Sequence, residues 1–263
     1  MRRVRLGATA ALLTAALTIT LASSPPPPRA VFHTGHPQAA ESPTPILTPP
    51  LGVTAWAYLD LHTGQITAAS PNAATWQTTT ESMVKVWLAA DDLHRHPDPS
   101  PAHLGELDRM IRDSDDAAAE EVYRANGRDA TITRMVATCH LTRYTTPVTN
   151  WWSRTQTTAA DAARLGLCIV GGAAGPAWTA WLLNEMSNVR GEGRFGIIAG
   201  LPTDRGVAIK NGWTPRPDAW HVNCLAINPA AWVLVVLQQY PTALTLDHGA
   251  AGCAMVAHQL LNP

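Results

Sequence analysis

The order of local patterns predicts an α+β protein. A strand pair opens the folded part, a long block of helices follows, and three strands and a final helix close it. Strands at both ends with helices between them build one sheet from the two chain ends and leave the helices as an inserted lobe. With 263 residues, 46% of them apolar, the chain is long enough to bury a sizeable core.

The segments follow in order. Residues 1–24 have a basic start, an apolar run from Leu6 to Ala22 and then small residues, the pattern of a secretory signal. Cleavage after Ala22 or Ser24, or retention as a signal anchor, fits that pattern, and the absence of a cysteine after the run argues against a bacterial lipid anchor. Residues 25–50, with Pro25 to Pro28, Pro37, Pro43, Pro45, Pro49 and Pro50, read as an extended tether. Folding is expected from Leu51.

Val53–Leu59 and Gln65–Ala69 alternate as strands around the turn residues Asp60 to Gly64, which predicts a hairpin. Thr80 is placed to cap a helix reaching Arg95, stopped by Pro97. Leu104, Leu107, Met110 and Ile111 share one face of a helix after Pro101, and the next helix ends at Asn126-Gly127. Further helical stretches lie near Ala130–Cys139, Thr158–Val170 and Pro176–Met186. Gly206–Lys210, Ala219–Ile227 and Trp232–Gln238 are β-rich, and Leu246–Leu261 closes the chain as a helix. The sheet lobe is thus expected from residues 51–78 and 192–263, and the helical lobe from 79–191.

A formal net charge of −1 argues against a nucleic-acid or other polyanionic partner. No segment after the leader is long and apolar enough to cross a bilayer. The four cysteines, Cys139, Cys168, Cys224 and Cys253, all follow the tether. An even count in an exported chain predicts two disulfides, with three pairings open, and the wide spacing of the cysteines disfavours zinc.

Of 19 basic residues only Lys85 and Lys210 are lysines, and both sit in motifs. Ser82-Met83-Val84-Lys85 places a hydroxyl and an amine on one helical face, where lysine can take the serine's proton. Alone this is a common surface spacing. Ser114-Asp115-Asp116 opens a helix, for which a plain cap is the simpler explanation. Lys210-Asn211-Gly212 follows a strand, where an Asn-Gly turn is the simpler explanation.

In this order the three resemble the Ser-x-x-Lys, Ser-Asp-Asn and Lys-Thr-Gly motifs of the penicillin-recognising serine enzymes, the class A β-lactamases and D-alanyl-D-alanine peptidases. Met110-Ile111 ahead of Ser114, Ala199-Gly200-Leu201-Pro202 ahead of Lys210, and Thr157-Thr158-Ala159-Ala160-Asp161 are also similar to that family. The resemblance covers Leu51 to Pro263. It implies an antiparallel sheet with an inserted helical lobe, and a monomer that needs no metal or organic cofactor and takes a small-molecule or peptide substrate. It also implies roles: Ser82 as acylated nucleophile, Lys85 as its base, Ser114 as proton relay and Lys210 as its electrostatic partner. The backbone N–H groups of Ser82 and Trp213 would form the oxyanion hole, and Asp116, Asn211 and Gly212 would meet the substrate. The family's packing of its last helix on the sheet implies the pairs Cys139–Cys168 and Cys224–Cys253.

Four departures qualify the resemblance. The interval from Ser82 to Ser114 is roughly half the usual length. Asp116 replaces an asparagine; its charge favours the ammonium form of Lys85, which weakens that base, and is inhospitable to an anionic substrate. Asn211 replaces a threonine, which changes the contact for a substrate carboxylate while keeping a donor. Between Cys139 and Thr158 there is no acidic residue, so the glutamate that activates water in class A β-lactamases is missing and an acyl-enzyme should hydrolyse slowly.

No Gly-x-Ser-x-Gly supports a Ser-His-Asp triad among the ten histidines. His94 and His96 read as solvated, and His221 as a satisfied strand residue near the third motif. Trp151, Trp152 and Trp213 would border the cleft as apolar surfaces.

Overall fold

A computed structural model describes residues 51–262; the signal segment and the tether lie outside the described residues. Five strands, β1 (Val53–Asp60), β2 (Gln65–Ala69), β5 (Ala208–Pro215), β6 (Trp220–Asn228) and β7 (Trp232–Tyr240), form an antiparallel sheet in the order β2-β1-β7-β6-β5. The first hairpin turns on Asp60, whose Oδ1 accepts hydrogen bonds from the His62 and Thr63 amides at 2.7 and 2.9 Å. Full-length pairing of β1 with β7, from Val53 opposite Gln239 to Asp60 opposite Trp232, joins the two ends of the chain.

Helices cover both faces of this sheet. Because side chains alternate along a strand, Val233, Val235 and Leu237 of β7 enter one core while Leu234 and Val236 enter the other. The first core includes residues of α1 (Lys85–Arg95), α3 (Asp116–Ala125) and α5 (Ala159–Val170), and the second those of α7 (Leu246–Leu261). Burial on both sides explains why β7 reads as an uninterrupted apolar run. α2 (Pro101–Asp108), α4 (Asp129–Thr138) and α6 (Thr179–Ser187) complete the helices, and β3 (Thr78–Thr79) pairs with β4 (Gln156–Thr157) ahead of Ser82. Among the described residues no helix is long and apolar enough to cross a membrane.

Three local expectations are corrected. Thr80 does not cap a helix: its hydroxyl bonds that of Thr155 at 2.8 Å, and a 3₁₀ turn, Glu81–Val84, separates it from α1. Lys210-Asn211-Gly212 is not a turn, because β5 stays paired with β6 to Pro215 opposite Trp220, and the reversal is closed by the Arg216 amide on Ala219 O. α6 starts at Thr179 and not at Pro176, since residues 175–178 form a turn begun by left-handed Gly175 (φ 85°).

The disulfides join Cys139, just past α4, to Cys168 in α5, and Cys224 in β6 to Cys253 in α7. The second clamps helix to sheet beside Gly196, which is left-handed (φ 80°) and where a Cβ would lie 2.6 Å from the Cys224 sulfur. Each bridge spans 29 residues of sequence. Chain-entropy loss for a loop of that length is about 3–4 kcal/mol at 25 °C. The C224A/C253A double variant is therefore expected to lose about that much unfolding free energy, read as a lower urea midpoint with an intact fold by circular dichroism.

Candidate active site

The site forms where three segments meet: the turn carrying Ser82, the turn before α3, and edge strand β5. Arg109–Asp113 is a wide π turn, ending at Ser114 with φ 59°. Left-handed backbone is uncommon for serine, and with a π turn it marks a position held by its surroundings. Asp115 then caps α3, its Oδ1 accepting from the Ala117 and Ala118 amides. The cap that the sequence suggested is real, and it leaves the neighbours Ser114 and Asp116 free to face the lysines.

Lys85 and Lys210 are both fully buried. Lys85 Nζ donates to Ser114 O at 2.6 Å, to Ser114 Oγ at 3.3 Å and to Asp116 Oδ1 at 2.5 Å, and it lies 4.9 Å from the centre of the Trp152 ring. Lys210 Nζ donates to Ser114 Oγ at 2.9 Å. Burial pushes the Lys85 amine below the usual lysine range, with Asp116 opposing. Lys210 is pushed much further down, by burial and then by the charge of Lys85. Asp116 thus acts as expected on Lys85, but desolvation outweighs it. No hydrogen bond joins the Ser82 hydroxyl to Lys85 among the described residues.

A cavity of about 650 Å³ opens over this centre. Ser82, Ser114 and Asp116 line it, and so do the indoles of Trp151, Trp152 and Trp213. Gly212 lies against the turn that carries Ser82: a Cβ there would stand 2.5 Å from Thr80 O and 2.8 Å from Ser82 N. That approach brings β5 beside Ser82, where edge-strand N–H groups can face a ligand.

Asn211 departs from expectation. It is 1% exposed, is not part of the cavity wall, and spends both amide hydrogens on Gly193 O and Phe195 O at 3.0 and 2.9 Å. Strand alternation puts it on the face opposite Lys210, so it cannot hold a substrate carboxylate here. His221 is a satisfied strand residue, bonded to the hydroxyls of Thr78 and Thr79.

Sequence reasoning missed Glu81. Buried and left-handed (φ 48°), it immediately precedes Ser82, and its carboxylate is held by Thr79 Oγ1 at 2.6 Å, Thr214 Oγ1 at 3.1 Å and the Arg216 guanidinium. This network ties the strained turn to β5. An acid beside the serine was visible in the sequence, but its distant partners were not. Trp152 was expected at the cleft, but its contact with Lys85 was not foreseen.

Among the described residues no group of three or more His, Cys, Asp or Glu side chains is placed to hold a metal ion.

Comparison with solved structures matches this architecture to a β-lactamase from Xanthomonas campestris pv. campestris, with 19% identity, a TM-score of 0.64, and coverage of 80% of this chain and 91% of that one. An ancestral class A β-lactamase of Gram-negative bacteria matches with 23% identity, a TM-score of 0.61, and coverage of 80% and 93%. The fold is that of the class A β-lactamases. No protein-family model matches this β-lactamase-like domain. Among curated proteins, LppW of Mycobacterium tuberculosis and of Mycobacterium bovis, named as a lipoprotein, is 28% identical over 201 residues, 71% of this chain. The chain spans 63% of the length of these relatives.

The buried amines give a pH signature. A lysine whose folded pKa lies below its unfolded value binds fewer protons folded than unfolded, so stability rises with pH between the two values. The window lies below 10.5, the ordinary lysine value, and extends furthest for Lys210. Urea unfolding from pH 7 to 10 is expected to show a rising contribution from this group. The K210M variant should flatten that slope relative to the native chain.

Proposed function

We propose that the domain is a serine hydrolase acting outside the cytoplasm, forming an acyl-enzyme at Ser82 on an amide or ester, with a cell-wall peptide as the favoured substrate class. The observation that carries the reading is the hydroxyl of Ser114 between two buried lysines at the floor of the cavity that Ser82 lines. Chance placement of the only two lysines in the chain would not put both on one serine.

In this mechanism Ser82 Oγ attacks the carbonyl while neutral Lys85 accepts its proton. Ser114 passes a proton to the departing amine or alcohol, and Lys210 favours that transfer electrostatically. Backbone N–H groups of Ser82 and Trp213 receive the oxyanion; one such donor is typically worth ~100-fold or more in rate. Burial lowers the proton affinity of Lys85, which favours the neutral form that a base requires. Water must then release the acyl group without the family's glutamate, since residues 150–153 of the segment expected to carry it bring Asn150, Trp151, Trp152 and Ser153 to the cavity. Slow deacylation and poor β-lactamase activity follow. A monomer with an exported, disulfide-bonded domain fits the leader and tether, and the relative LppW is named as a lipoprotein.

A second reading, a binding module that retains the fold without catalysis, is favoured by Lys85 turning to Asp116 and by the withdrawal of Asn211. Intact-mass spectrometry of residues 25–263 after exposure to a fluorophosphonate and, separately, a penicillin separates the two. The expected result is a stoichiometric fluorophosphonate adduct that S82A abolishes, together with any penicillin adduct persisting for hours. No adduct with either reagent favours the binding module.

A further inference from the structure

We infer that the substrate of this site carries an ammonium or guanidinium group and not the carboxylate that penicillins present. The inference rests on the acyl-enzyme reading of Ser82 and names the substrate class for that site.

The groups that should receive a carboxylate are withdrawn. Lys210 is fully buried and directed to Ser114, and both amide hydrogens of Asn211 are taken by the backbone carbonyls of Gly193 and Phe195. The cavity wall includes five carboxylates, of Glu81, Asp113, Asp116, Glu120 and Glu192, and one guanidinium, that of Arg190. Most of these acids have cationic partners, and the arrangement of those partners is the decisive feature. Asp116 is 78% exposed and covers Lys85, which has no exposed surface. Glu81 and Arg216, 4% and 9% exposed, form a buried pair that presents little charge of either sign to a ligand. Arg190, the only cation in the wall, is taken up by Asp113 and Asp108. Glu192 is exposed and has no ion pair among the described residues. Glu120 pairs with Arg124 and Arg128, which are about as exposed as it is, so the acids a ligand meets uncompensated at the surface are Asp116, whose amine lies behind it, and Glu192.

The indoles work in the same direction. The face of an aromatic ring is electronegative and attracts cations. Two rings of this wall already do so within the chain: Lys85 lies over Trp152, and Arg154 lies over Trp151 at 5.1 Å. Trp151 is itself 51% exposed, so the cavity mouth offers apolar surface for the stem of a long cationic chain. An anionic ligand would lose its hydration here without gaining a free donor of opposite charge.

Three p-nitrophenyl esters of equal acyl length test the inference: ε-trimethylammoniocaproate, caproate and the monoester of adipate. Acylation is followed as p-nitrophenolate release, with S82A as background. The cationic ester is expected to exceed the anionic one in kcat/KM by at least about tenfold, equivalent to ~1.4 kcal/mol, with the neutral ester between them. The ratio should shrink with added salt and in E192Q. Equal rates, or a faster adipate ester, would overturn it. A parallel arm measures equilibrium binding of the matching amides to S82A by tryptophan fluorescence. If no ester acylates the native chain, the acyl-enzyme reading fails, while tighter binding of the cationic amide still upholds the charge preference and tighter or equal binding of the anionic amide rejects it.

Discussion

Two buried amines converge on one serine, and much of the site is arranged around that constraint. Burying a charged amine costs several kcal/mol unless it is paired or loses its proton. Burial lowers the proton affinity of both lysines, and pairing opposes this at Lys85. Lys85 keeps a carboxylate, Asp116, and a backbone carbonyl, while Lys210 has a single hydrogen bond to Ser114 Oγ and the lower proton affinity. The contact works only if Ser114 faces both amines, which accounts for its left-handed backbone and for the π turn that delivers it. It also binds α1, the entry to α3 and β5 to one another, so packing and electrostatics share the same residues.

A second strained residue, Glu81, serves the turn that carries Ser82 in a comparable way. Its left-handed conformation persists because Thr79, Thr214 and Arg216 hold the carboxylate from flanking elements. Gly212 completes the arrangement by leaving room for the turn against the strand. Strain of this kind is affordable only on a rigid frame. Here the frame is a sheet buried on both faces, with a disulfide fixing α7 to its centre.

The same frame explains how the domain departs from the β-lactamases whose fold it has. Replacing threonine by asparagine at position 211 does more than exchange one donor for another. The longer side chain reaches Gly193 O and Phe195 O and becomes part of the wall's support. The segment before α5, where the sequence has no acid, contributes indoles in place of a carboxylate. On the proposed reading of Ser82, both changes make the cavity less suited to an anionic ligand and to rapid hydrolysis of an acyl group.

The sequence by itself determined the order and type of the main elements, because these follow from local rules. The β-rich run Val53–Leu59, the helical stretch Thr158–Val170 and the apolar length of Leu246–Leu261 are all properties of short windows. It also determined which residues could form a site, since three motifs in order and two solitary lysines need no coordinates to be noticed. Only the tertiary structure decided where side chains point and what they meet. Lys210-Asn211-Gly212 reads as a turn until β6 is seen pairing beyond it, and that pairing sends Lys210 and Asn211 to opposite faces. The partners that hold strained Glu81, Thr214 and Arg216, lie more than a hundred positions away, and the cover of Lys85 by Asp116 joins residues 31 apart. Such long-range electrostatic pairing has no local signature, and it is what sets the character of the cavity.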